Sequence, residues 1–161
     1  MNKNTPALDA LYREVILDHH RHPRNFGPLE GADAVVEGYN PLCGDRVELA
    51  VKIHNHQLSD CKFKGEGCSI CMASASMMTE EVLGKPVKEV SEIIEGFRAL
   101  LKGEECPLAV EGDLESLVGV RNFPVRIKCA LLPWTTLNDA VQKATGLQSG
   151  ESSLDQSGDQ K

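Results

Sequence analysis

Cys43-Gly44-Asp45 places a thiol and a carboxylate two positions apart, with a residue lacking Cβ between them. Gly44 can take a positive φ, so both groups can be turned towards one centre. Cys68 follows Gly65-Glu66-Gly67 and stands where a helical pattern begins. Unpaired N–H groups and the helix dipole favour thiolate over thiol there. Cys129 falls early in the last long helical pattern, with Arg126 and Lys128 nearby to stabilise negative charge. Cys43, Asp45, Cys68 and Cys129 together offer three soft thiolates and one hard carboxylate. That set suits tetrahedral zinc, with Zn–S of about 2.3 Å. It equally suits iron in a cluster. Glycines and acids do not build apolar pockets, so Cys43 and Cys68 fit poorly as buried small hydrophobes.

The other candidates read as structural. Cys61 alternates with Phe63 on a strand and packs in the core. Cys71, one turn beyond Cys68, heads an apolar helical stripe and reads as a passive small residue. Cys106 precedes Pro107 in a loop and is a bystander. His19, His20 and His22 read as solvated or locally bonded, and His54 and His56 as part of a turn. Met72, Met77 and Met78 recur at helical spacing as core filler. Cys68-Ser69-Ile70-Cys71 has the Cys-x-x-Cys form of a thiol–disulfide oxidoreductase. Such a pair follows a strand in a βαβ unit, whereas the strands here form an antiparallel meander.

Composition bounds the function. The chain has 161 residues, 41% hydrophobic and 25% charged, enough to bury a core in one domain. Aromatics are only 4%, so that core is aliphatic and methionine-filled. The net charge of −7 is shared evenly along the chain and disfavours nucleic acid as a partner. Residues 1–9 are polar and charged, which argues against a secretory signal, and no apolar run is long enough for a membrane span. The six cysteines are therefore expected in a reducing cytoplasm, as ligands or nucleophiles rather than disulfides.

The elements that position these groups follow from periodicity. Thr5-Pro6 reads as a cap and first turn, and Leu8, Leu11, Tyr12, Val15 and Ile16 continue a helix that Pro23 stops. Val35 to Tyr39, Val47 to Ile53 and Leu58 to Lys64 read as three antiparallel strands, with a hairpin turn at His54-Asn55-His56. A helix capped by Ser69 carries the stripe Cys71, Ala75, Met78 and Val82, and Gly84-Lys85-Pro86 ends it. Val90, Ile94, Phe97 and Leu101 face inward on the next helix. Residues 104–124 read as irregular. Val125 to Thr145 reads as a helix kinked at Pro133. The expected architecture is α+β, a small three-stranded antiparallel sheet packed against several helices, over residues 1–146. Residues 147–161 read as a disordered acidic tail.

Four ordered motifs carry a resemblance. Tyr12 to His19 with Pro23-Arg24-Asn25-Phe26-Gly27, Asn40-Pro41-Leu42-Cys43-Gly44-Asp45, Gly65-Glu66-Gly67-Cys68-Ser69-Ile70 with Ala73-Ser74-Ala75-Ser76, and Arg126-Ile127-Lys128-Cys129 together resemble the U-type iron–sulfur cluster assembly proteins, the IscU and SufU family. Lys128 stands where IscU-like members have a histidine. The 61 positions from Cys68 to Cys129 resemble the insertion of SufU-like members. Cys71 departs from the family pattern, which has a small residue there.

The resemblance implies a site of Cys43, Asp45, Cys68 and Cys129, holding zinc in SufU-like proteins. It also implies that Cys43 accepts sulfur from a pyridoxal-phosphate cysteine desulfurase of the SufS kind, upstream of the remaining assembly machinery. Two further readings stay open. In one the chain is a true scaffold, with iron or a [2Fe-2S] cluster on Cys43, Cys68 and Cys129. In the other it is a structural zinc module.

Overall fold

Alternation of apolar and polar residues yields the strands β1 (Ala34–Asn40), β2 (Asp45–His54) and β3 (Gln57–Glu66). The structure, a computed structural model, describes residues 5–104 and 112–146, with side chains from residue 10 onward. The three strands form one antiparallel meander in the order β1-β2-β3. Leu49 pairs with Val36 on one side and Phe63 on the other, and Val51 with Ala34 and Cys61. Val47, Leu49, Val51, Cys61 and Phe63 are all buried on one face of the sheet. Asn55 and His56 both take positive φ, 53° and 65°, and close the expected hairpin between β2 and β3 without glycine.

Helices cover that face. The first is α1 (Thr5–Arg21), followed after the sheet by α2 (Ser69–Val82), α3 (Val87–Leu101) and α4 (Pro124–Thr145). α4 lies across β1 and β2, and α2 packs between α1 and α4 against β3. Phe97 of α3 stacks on Trp134 of α4, with ring centroids 4.3 Å apart. This is the expected α+β arrangement. Among the described residues no helix is long and apolar enough to cross a membrane.

Several expectations need correcting. α2 is not one-sided: Cys71 through Thr79 are all buried. Its polar residues are satisfied internally, with the Ser74 hydroxyl donating to the Ala130 carbonyl at 2.6 Å and accepting from the Trp134 indole N–H at 2.9 Å. The cap of α2 is Cys68, and Ser69 is its first residue. Residues 112–122 are not irregular but form a 3₁₀ helix (Gly112–Asn122) that buries Leu114, Leu117 and Val120. α4 is helical on both sides of Pro133, as expected, and Pro133 is buried; the Thr135 and Thr136 hydroxyls both donate to the Leu132 carbonyl beside it.

His19 is neither solvated nor confined to local partners. It is fully buried, with Nδ1 at 2.7 Å from Ser76 Oγ and Nε2 at 2.6 Å from an Asp113 carboxylate oxygen. His20 and His22 are exposed, and His22 hydrogen-bonds Asp18. Cys106 and the tail from residue 147 lie outside the described residues.

Candidate metal centre

Strand parity delivers the first candidate ligand. Asp45 shares the inward face of β2 with Val47, Leu49 and Val51, so its carboxylate is carried into the protein and is fully buried. A carboxylate there needs donors. It has them: Oδ1 accepts the Cys68 backbone N–H at 2.9 Å, and Oδ2 accepts from the Asn40 side-chain amide at 3.3 Å. A Cβ at Gly67 would stand 2.6 Å from Oδ1, so the residue before Cys68 has to be glycine for the carboxylate to seat.

Cys43 is carried by the short loop between β1 and β2. The loop closes through N–H bonds of Cys43 and Gly44 to the Asn40 carbonyl, at 3.3 and 2.9 Å. Gly44 has φ +74°, the left-handed turn that lets the chain enter β2 directly after the thiol. Cys43 remains half-buried, while Cys129, on the second turn of α4, is fully buried. Their sulfurs are 3.1 Å apart, with the Cys129 thiol donating to Cys43. The Asn40 amide also reaches Cys129 Sγ at 3.7 Å.

Cys43, Asp45 and Cys129 thus bring three ligand atoms within 4.8 Å of one another. Cys68 is not in that tight group but adjoins it. Its N–H binds Asp45, its sulfur accepts the Cys71 N–H at 3.5 Å, and it hydrogen-bonds Cys129. Burial first, then hydrogen bonds with Cys43, Asp45 and Cys68, push the Cys129 thiol above its ordinary range. Arg126 answers this from solvent. Its guanidinium, hydrogen-bonded to Cys129 and near Cys68 and Cys43, is held more firmly protonated than usual. Two buried acidic groups packed against two further thiols, with one cation facing them, make a donor set that a divalent thiophilic cation would neutralise.

Two further thiols among the described residues, Cys61 and Cys71, are buried. Cys61 lies in the sheet core, and burial pushes its thiol up to about 12. Cys71 is buried; desolvation first, then Asp45, Cys68 and Cys43, raise it as well. Lys128 is exposed. Asn40 is the contributor that residue types alone do not single out; its signal is that it pairs with Asp45 across the loop. Leu42 beside Cys43, Phe123 and Val125 before Cys129, and Tyr39 near the end of β1 are exposed apolar residues on the segments that carry these two thiols.

A second group is His19, Glu80 and Asp113, also within 4.8 Å. There the imidazole already has a partner on each nitrogen, which accounts for the arrangement as packing.

Comparison with known proteins agrees with this geometry. Residues 11–146 match the family model of the NifU-like N-terminal domain. The chain is 46% identical over 140 residues to the zinc-dependent sulfurtransferase SufU of Bacillus subtilis, covering 86% of this chain and 95% of that protein. It is 40% identical over 142 residues to the iron–sulfur cluster assembly scaffold protein IscU of Streptococcus pyogenes, covering 88% and 89%. A crystal structure from Fervidobacterium islandicum AW-1, described as a cluster assembly scaffold protein for the SUF system, superposes with a TM-score of 0.76 at 37% identity, covering 80% of this chain and 94% of that one.

Proposed function

The chain belongs to the NifU-like N-terminal domain family, and on that premise we propose that it is a sulfur-transfer protein of iron–sulfur cluster assembly, of the SufU type. Its cofactor is zinc, held by Cys43, Asp45, Cys68 and Cys129. Its donor is a pyridoxal-phosphate cysteine desulfurase, and its product feeds the downstream assembly machinery in the cytoplasm. The working unit is residues 1–146.

The observation that carries this reading is the contrast in exposure across one cluster. Cys43 is half-buried on a short loop, while Asp45 and Cys129 are fully buried behind it. Cys68 is also half-buried, but its sulfur caps α2 by accepting the Cys71 N–H, which leaves Cys43 as the accessible thiol carried on a loop. When bound, zinc keeps thiolates deprotonated at neutral pH. Cys43 then attacks the outer sulfur of the desulfurase persulfide. A bond forms between Cys43 Sγ and that sulfur, the donor's S–S bond breaks, and the donor cysteine leaves as thiolate. Arg126 offsets the negative charge on the thiols during this exchange, and Asn40 and the Cys68 N–H keep Asp45 in place. The exposed apolar residues Leu42, Phe123 and Val125, on the segments that carry Cys43 and Cys129, offer the donor protein a surface to dock on.

One observation favours a second reading, a scaffold that builds and passes on a [2Fe-2S] cluster as cargo. Asp45 is a harder and weaker ligand than thiolate, which suits release, and relatives named as IscU scaffolds match most of the chain. Elemental analysis of anaerobically purified protein separates the two. About one zinc per chain without acid-labile sulfide supports sulfur transfer, and iron with matching sulfide supports the scaffold. Cys43→Ala then tests the acceptor directly: stimulation of a desulfurase should be abolished, and unchanged stimulation would remove Cys43 from the role.

A further inference from the structure

Among the described residues, the two sulfurs that meet most closely in this site are the half-buried one of Cys43 and the fully buried one of Cys129. Cys43 Sγ and Cys129 Sγ are 3.1 Å apart, within about 1 Å of a disulfide bond length. The other thiols among the described residues are placed differently. Cys61 is in the sheet core, and Cys71 is buried one turn into α2. Cys68 has its sulfur engaged by the Cys71 N–H. Cys43 sits on the loop Pro41–Gly44, held to Asn40 by the Cys43 and Gly44 N–H bonds to its carbonyl and the Leu42 N–H bond to its Oδ1, whereas Cys129 is fixed within α4, so Cys43 is the partner able to move.

We propose that this pair gives the chain a second activity, the release of sulfide from its own persulfide, with Cys129 as the resolving thiol. The proposal rests on Cys43 being the sulfur acceptor. Cys129 Sγ attacks Cys43 Sγ, the inner sulfur of the persulfide. The Cys43–Cys129 bond forms and the bond to the terminal sulfur breaks, with its electron pair leaving on that sulfur. The terminal sulfur is reduced to sulfide, Cys129 is oxidised, and Cys43 keeps its oxidation level. The Cys129 proton ends on the departing sulfide, which leaves as H₂S. No outside oxidant or reductant enters this single turnover, and an added dithiol restores both thiols.

The consequence is a choice of fate. An acceptor reaching the exposed end takes the outer sulfur, whereas a persulfide left without an acceptor discharges inward. With a cation held between them, both sulfurs are engaged as ligands, so the discharge belongs to the metal-free protein.

The test uses the full, metal-free chain under anaerobic conditions. It is loaded with inorganic polysulfide, freed of excess, and followed by intact mass, peptide mapping and sulfide release. The wild type should first gain the mass of one sulfur on Cys43. It should then lose it with one sulfide per chain, ending two hydrogens lighter with the Cys43 and Cys129 peptides linked. Cys129→Ser should hold the persulfide and release sulfide at least about tenfold more slowly. Cys61→Ala should behave as wild type.

The proposal is overturned if Cys129→Ser releases sulfide at the wild-type rate, or if the wild-type link joins Cys43 to another cysteine. Because the linked peptide is read on the wild type, a poorly folding variant does not decide the matter. If Cys43 gains no sulfur in either protein, the acceptor reading itself fails and takes the discharge with it.

Discussion

The imidazole of His19 and the carboxylate of Asp113, 94 positions apart, meet at 2.6 Å and tie α1 to the 3₁₀ helix. The two ends of this contact differ: His19 is fully buried, while the Asp113 side chain is 51% exposed. On the other ring nitrogen Ser76 holds the imidazole from α2, and Ser76 Oγ also accepts the Arg24 N–H at 2.8 Å. Asp113→Ala therefore strands a buried ring nitrogen, and should cost about 1–3 kcal/mol. Urea unfolding reads that cost, and the zinc content should not change.

Asp45→Ala should lower zinc affinity more than tenfold, because the carboxylate is a ligand in the proposed site and the acceptor for the Cys68 N–H. Competition with a chromogenic chelator measures it. Metal content and affinity equal to wild type would remove Asp45 from the site.

Ser74→Ala should destabilise the protein by about 1–3 kcal/mol. The hydroxyl is the acceptor for the buried Trp134 indole N–H and has no substitute in the alanine variant. The loss should appear in thermal unfolding followed by tryptophan fluorescence, since Trp134 is the one tryptophan of the chain.

Alkaline stability should depend on Cys61. Its thiol is held up to about 12 by burial, whereas in the unfolded chain it ionises near its ordinary value. Between those two values the folded state binds more protons, so stability falls as pH rises, by at most about 1.4 kcal/mol per unit. Below that window the group contributes no slope. Cys61→Ala should flatten the decline above pH ~9 in urea midpoints measured against pH, and an unchanged slope would show that the thiol does not carry it.

Much of this was legible from residue types. The alternation of β2 predicts not only Val47, Leu49 and Val51 but, by the same parity, the inward carboxylate of Asp45. Leu114, Leu117 and Val120 recur every third residue, the period of a 3₁₀ helix, in a stretch that looks irregular against a 3.6 period. What stayed hidden depends on distant partners. Nothing in the types of Ser74, Ser76 and Thr79 names Ala130, His19, Arg24 and Asn25, the partners that bond them inside the fold. His19 is the same case, because its partners lie 57 and 94 positions away. The cap at Cys68 escapes propensity rules, since cysteine is not among the usual capping residues.

The Asp45–Cys68 bond joins the first residue of β2 to the cap of α2, and Cys129 reaches the same point from α4. Sheet, central helix and last helix therefore converge on a few atoms that the unfolded chain scatters across 86 positions. An ion that binds these atoms together has nothing comparable to bind once the chain opens. Its binding energy then adds to the stability of the whole fold, about 4 kcal/mol at a thousandfold excess over the dissociation constant. The melting temperature of this protein becomes a gauge of how many molecules in a preparation carry metal.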